Sequence, residues 1–195
     1  MEKHIFTIYL LGGNNGRKKT RISGFGKQKR NIKHALAQLL QTKPLNKITV
    51  TEIAKTAEIN KGTFYLHYTD IDDLYNEFIH DMISSIISQI DFLSDFFYDP
   101  ENFVRKMLNQ RKEDTGQHKF LFELTRQNRS VPRIFAKTFR EHLYAAGPLT
   151  PSLENDMKLE SLINSCTLLS LEYGQTHPET VVSVISEQIR SAFCH

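Results

Sequence analysis

Two helix-start signals follow each other closely, at Thr49 and at Asn60, and between them leave room only for a short helix and a tight turn. Thr49-Val50-Thr51-Glu52 has the capping-box form, in which the threonine hydroxyl accepts from an orphan backbone amide and the glutamate reaches back to the cap. Val50, Ile53, Ala54 and Ala57 then make one inner face, and the helix is predicted to end near Glu58. Ile59 is the apolar plug of the turn. Asn60 is a favourable N-cap for a helix carrying Lys61 to Tyr68. In that helix Phe64 and Tyr68 sit four apart and face inward, which turns Lys61, Tyr65, Leu66 and His67 outward.

A longer helix precedes this pair. From Lys29 to Thr42 the residues Ile32, Ala35, Leu36, Leu39 and Leu40 keep the spacing of one buried helical face, and the helix stops before Lys43-Pro44. Two short helices after a longer supporting one form the helix-turn-helix layout. Asp70 is placed to cap a fourth helix, with Asp72 and Asp73 in its first turn. Its apolar positions run from Leu74 through Phe78, Met82, Ile83, Ile86 and Ile87 to Ile90, long enough to leave the first domain and enter a second. Further helices are predicted after Asp99-Pro100-Glu101, over 119–126 beyond Gly116, over 131–144 before Gly147-Pro148, over 153–173 before Gly174, and over 178–193. No stretch alternates with period two, so the fold class is all-α: an N-terminal three-helix helix-turn-helix domain joined by a long helix to a C-terminal helical bundle. The expected domains are a basic extension over 1–26, either disordered or an arm, a helix-turn-helix domain over 27–73, and a helical domain over 74–195.

Composition matters through its distribution. The net charge of +3 divides into +10 over residues 1–69, with 13 basic and 3 acidic side chains, and −7 over residues 70–195, with 12 basic and 19 acidic. A basic N-terminal third calls for a polyanionic partner, because each phosphate met by a Lys or Arg releases condensed counterions. Arg17, Lys18, Lys19, Arg21, Lys27, Lys29 and Arg30 could follow phosphates or enter a minor groove as an arm. Cys166 and Cys194 are too few for a disulfide framework, which fits a reducing cytoplasm. The apolar stretch Ile5, Phe6, Ile8 to Leu11 is too short to span a membrane and precedes no small-residue cleavage site, so no membrane or export role is expected.

The run from Ile48 through Thr49, Thr51, Ile53, Ala54, Ala57, Lys61, Gly62, Thr63, Phe64, Tyr65, Leu66 and His67 to Tyr68, followed by Asp72-Asp73-Leu74, resembles the N-terminal domain of TetR-family transcriptional regulators. The resemblance covers roughly residues 29 to 80. It implies a homodimer that binds double-stranded DNA at a palindromic operator, with a divergent C-terminal helical domain that often takes a small-molecule effector. Carried onto this chain, Lys61, Gly62 and Thr63 match the start of the recognition helix near phosphate, Tyr65, Leu66 and His67 match positions toward phosphate or base edges, and Thr49 and Thr51 match the start of the helix that meets the DNA backbone. Lys29 and Arg30 join this set from the supporting helix. Two positions depart from the family pattern. Glu58 stands where a glycine is usual in the turn, and Leu66 stands where an aromatic or polar residue is more usual, offering contact to a thymine methyl but no hydrogen bond to a base.

In the C-terminal half, Met107, Phe120, Phe122, Phe135, Phe139 and Cys166, with Tyr144, are the candidates to line an effector pocket. Leu162, Ile163, Cys166, Leu169, Val181, Ile185, Ile189 and Phe193 exceed what one face needs and point to an intersubunit bundle. His80, His118 and His142 lack metal-ligand spacing and are expected on solvated faces, so neither a metal nor a cofactor is implied. No glycine-rich phosphate loop follows a strand and Cys166 has no activating partner, which argues against an enzyme. The function expected is a sequence-specific transcriptional repressor relieved by an effector. The alternative is a DNA-bound co-activator or adaptor whose acidic C-terminal domain docks a protein.

Overall fold

The computed structural model describes residues 24–90, 93–113, 116–128, 130–147 and 149–194, and of residues 24, 110–113, 117–119, 122 and 146 the backbone alone. The N-terminal arm expected from Arg17, Lys18, Lys19 and Arg21 lies outside the described residues, as do the side chains of His118 and Phe122. Among the described residues the chain is all-helical: α1 Gly24–Leu40, a 3-10 turn Leu45–Lys47, α2 Val50–Thr56, α3 Lys61–Tyr65, α4 Ile71–Ser88, α5 Asp95–Tyr98, α6 Pro100–Glu113, α7 Gln117–Gln127, α8 Ser130–Ala146, α9 Leu153–Tyr173 and α10 Pro178–Phe193. No helix among them is long and apolar enough to cross a membrane. The chain divides into two compact units between Ile79 and His80, inside α4.

In the first unit α1 packs on α2 and α2 on α3. Ile32, Leu36, Ile53, Phe64 and Leu74 are wholly buried, with Tyr75, Phe78 and Ile79 beside them. Each such side chain contributes about 1.5–3 kcal/mol by leaving water. Truncating Phe64 to alanine removes the residue that both short helices close upon, at a cost of about 3–5 kcal/mol. α1 spans more than the helix predicted from Lys29, because Phe25 gains a partner in the His67 ring, 4.1 Å between centroids. Ala37 is also wholly buried, off the stripe that the spacing suggested. The helix closes where the amides of Thr42 and Lys43 both donate to the Leu39 carbonyl, just ahead of Pro44.

α4 starts on a reciprocal pair of bonds. The Asp73 amide donates to Asp70 Oδ1 at 2.7 Å, and the Thr69 amide donates to Asp73 Oδ2 at 3.0 Å. This agrees with the cap expected at Asp70.

In the second unit α10 packs on α5, α6 and α9, α9 packs on α8, and α7 on α6 and α8. Asp99 caps α6 by accepting from the Asn102 amide at 3.1 Å. Phe96, on the short helix α5 that no sequence pattern announced, meets Phe103 at 5.4 Å and Phe139 at 5.9 Å edge-on. Gly147 follows the end of α8, and a Cβ there would stand 2.8 Å from the Phe97 ring, so the close approach needs glycine. Tyr144, expected at a pocket, instead donates its hydroxyl to Asp156 Oδ1 at 2.6 Å and ties α8 to the start of α9. His80 keeps a half-exposed position near Glu141, whereas His142 donates through Nδ1 to the Thr138 carbonyl at 2.8 Å.

The residues expected to form an intersubunit bundle need correcting. Leu162, Ile163, Val181, Ile185 and Ile189 are buried within their own unit, where α9 and α10 close on each other and on α6 and α8. The large apolar side chains these two helices leave open are Leu153, Met157, Leu168 and Tyr173 on α9 and Val184 on α10.

Candidate functional site

The α2–turn–α3 segment is built by local bonds that the sequence encodes directly. Thr49 Oγ1 accepts from the Glu52 amide at 3.3 Å, and the Thr49 amide donates to Glu52 Oε2 at 3.0 Å, completing the capping box. The Thr49 hydroxyl also donates to Glu52 Oε2 at 2.8 Å, so its proton is committed inside the protein. Glu52 pairs with Lys43 as well, and the Lys43 ammonium, with the Thr49 hydroxyl next in effect, holds its carboxyl below the usual range. Thr51 is exposed.

At the end of α2 the Ile59 amide donates to the Ala54 carbonyl at 3.0 Å and the Glu58 amide to that of Lys55 at 3.3 Å. These are the two bonds of a Schellman closure, which needs a left-handed residue at its corner. That residue is Glu58, with φ of 55°. The departure from glycine noted in the sequence is therefore met by holding a glutamate in the strained conformation, with the turn kept as it is.

Asn60 then opens α3. Its Oδ1 accepts from the Thr63 amide at 2.7 Å and from the Thr63 hydroxyl at 3.0 Å. A Cβ at Gly62 would lie 3.2 Å from the same oxygen, so glycine there spares the cap as well as leaving the helix start open. Phe64 is the inward anchor, and Tyr65 and Leu66 point away from it, 58% and 74% exposed. Lys61 is exposed beside them, with no carboxylate partner among the described residues. The helix ends at Tyr65, short of the predicted Tyr68, and the chain continues as a turn in which the His67 and Tyr68 amides still donate to the Phe64 carbonyl.

His67 and Lys29 are placed differently from the outward positions expected of them. The His67 ring lies between α1 and α3: it packs on Phe25 and donates from Nε2 toward Gln28 Oε1 at 3.4 Å. Its Nδ1 is buried without a partner among the described residues. Burial pushes its pKa below the ordinary value and Lys29 adds to this, with Glu77 opposing. A neutral, half-enclosed imidazole is a packing element here, in contrast to an outward cation. Lys29 sits 2.7 Å from Glu77, which Lys33 also reaches at 2.5 Å, and its ammonium lies 5.5 Å from the centre of the Tyr68 ring. Burial tends to raise the Glu77 pKa, but the hydrogen bonds from the two lysines prevail and hold the carboxyl low. Arg30 is half-exposed, and its guanidinium is free of carboxylates among the described residues. Lys47 and Lys55 are exposed cations of the same unit that no pattern in the sequence singled out.

The second unit contains a cavity of about 190 Å³. Of the residues named from the sequence, Met107, Phe135, Phe139 and Cys166 line it, and from α7 the lining residues are Leu121 and Thr125 in place of Phe120. The sequence reading missed Phe96 and Phe103, which share helical spacing with ordinary core, and the hydroxyls of Thr167 and Ser170. Burial pushes the Cys166 thiol up to about 12, which makes it an inert wall group and no nucleophile.

Residues 32–78 match the family model described as "Bacterial regulatory proteins, tetR family". The chain is 25% identical over 116 residues, 59% of its length, to the "Uncharacterized HTH-type transcriptional regulator YxbF" of Bacillus subtilis (strain 168), and spans about 30% of that relative's length. Its fold is similar to the crystal structure of a TetR transcriptional regulator from Rhodococcus sp. RHA1, with a TM-score of 0.50 and 18% identity over 85% of this chain and 94% of that one. With the capped α2, the left-handed turn and the exposed face of α3 already in place, the conclusion is that residues 32–78 form a helix-turn-helix domain of the TetR regulator family.

Proposed function

We propose that this chain acts in the cytoplasm as a homodimeric, sequence-specific repressor that binds a palindromic DNA site and releases it when a small effector occupies the cavity of the second unit. The observation that carries the reading is the exposed pair Tyr65 and Leu66, held out by the buried Phe64 on a helix pinned by Asn60. Large apolar side chains on a rigid, basic surface match the base edges and thymine methyls of a major groove, with Lys61 at the phosphates beside them. Lys55, Lys47, Arg30 and Thr51 extend the same role to the DNA backbone, and Gly62 and Thr63 keep the start of α3 close to it.

Support for the dimer comes from Leu153, Met157 and Leu168 on α9 with Val184 on α10, an apolar set left in water by a single chain. A two-fold dimer reads two inverted half-sites about one helical turn apart or a multiple of that. Effector control must be reciprocal, so a ligand that weakens DNA binding binds the DNA-bound dimer correspondingly less well.

Selection of bound duplexes from a random pool by the full chain tests the reading. An enriched inverted repeat is expected, with Tyr65→Ala and Leu66→Ala changing the preferred bases. Retention of duplexes without any enriched sequence would overturn it.

A further inference from the structure

The reading above leaves the effector without a chemistry, and the wall of the cavity supplies one. Four phenylalanines form a continuous aromatic lining: Phe96 stands edge-on to Phe103 and Phe139, and Phe135 stacks on Phe139 at 5.9 Å with 16° between the rings. Among the described residues no Asp, Glu, Lys, Arg or His lines the space. An ionised group inside would give up its hydration with no counter-charge to replace it. The polar groups available are few and neutral. Thr125 has spent its proton on the Leu121 carbonyl at 2.8 Å. Cys166 stays a protonated thiol. Thr167 and Ser170, three apart on α9, line the cavity with hydroxyls that have no side-chain partner among the described residues.

Size narrows the class further. An apolar protein cavity of about 150 Å³ holds one benzene, so a space of about 190 Å³ takes one ring and a small substituent. Resting on the reading of this cavity as an effector site, the geometry points to an uncharged, single-ring aromatic ligand bearing one small polar group, hydroxyl or carboxamide, with the ring among Phe96, Phe103 and Phe139 and the polar group bonded to Thr167 or Ser170. Both hydroxyls donate and accept, so either substituent is satisfied.

Calorimetric titration of the full chain at pH 7 with p-cresol, benzamide and benzoate tests this. Benzamide and benzoate are nearly the same shape and differ in charge. Saturable binding of p-cresol and benzamide, one per chain, is expected, with benzoate weaker by roughly tenfold or more. The double variant Thr167→Val, Ser170→Ala, which changes little volume, is expected to weaken p-cresol by roughly two- to tenfold while the ligand-free protein melts as before. Ser170→Phe, which fills the polar end, is expected to abolish binding. Equal affinity for benzoate and benzamide, no saturable binding of either neutral probe, or an unchanged affinity in the double variant would each overturn the assignment. The effector reading is judged separately, on a duplex obtained from the selection. Neutral probes that bind but leave DNA affinity unchanged keep the ligand class and sink the induction mechanism. Release of DNA by benzoate as readily as by benzamide keeps induction and sinks the ligand class.

Discussion

His67 packs on Phe25 at 4.1 Å between ring centres, so a residue just past α3 fastens that helix to α1. Because burial holds its pKa below the ordinary 6.5, the unfolded chain takes up this proton at a higher pH than the folded chain. The stability it contributes is complete above 6.5 and is lost as the pH falls through the folded value. Denaturant titrations between pH 7.5 and pH 5 are expected to show the wild type losing more stability on acidification than His67→Gln. Parallel curves for the two proteins would show that the imidazole titrates as freely as in an unfolded chain.

Glu58 occupies the left-handed corner of the turn, a conformation that costs a side-chain-bearing residue on the order of 1–2 kcal/mol, part of which glycine returns as unfolded-chain entropy. Glu58→Gly is therefore expected to stabilise the protein by about 0.5–1 kcal/mol, read as a higher denaturation midpoint. DNA binding should change little, since the turn geometry is already that of the glycine-containing form.

Lys29 and Lys61 are both basic residues of the first unit and are expected to differ in kind. Lys61→Met should weaken binding to all duplexes and lower the slope of log affinity against log salt by about one phosphate contact. Lys29→Met should leave that slope unchanged, because its ammonium is already engaged by Glu77 and the Tyr68 ring, and should cost stability of about 1 kcal/mol or less. Equal slopes for the two variants would place Lys29 at the DNA.

Cys166 gives a chemical readout of the cavity. With its pKa raised from 9.0 to about 12, the reactive thiolate is scarcer by on the order of a thousandfold. Native protein at pH 8 is expected to alkylate at Cys166 slower by a similar factor than after unfolding, with mass-mapped peptides as the measure.

Much of the first unit was legible in the sequence because its instructions are local. Thr49 with Glu52, Asn60 with Thr63, and Asp70 with Asp73 each act over three residues, a distance at which helix geometry alone dictates who meets whom. The ends of α9 and α10 were legible for the same reason, through Gly174 and Pro178.

The sequence by itself thus determined the long helices, where the helix-turn-helix lies, and that Phe64 is buried while Tyr65 and Leu66 are not, since these follow from periodicity and capping within a few residues, whereas the short α5 escaped it. Tertiary structure alone decided that His67 turns back onto Phe25, that Lys29 is held by Glu77, and that Leu162 and Ile185 are core while Leu153 and Met157 stay open. It also decided that Phe96 and Phe103 join Phe139 around a cavity. Each of these depends on a partner far along the chain. A periodic pattern shows that a residue has a buried side without showing what is on it.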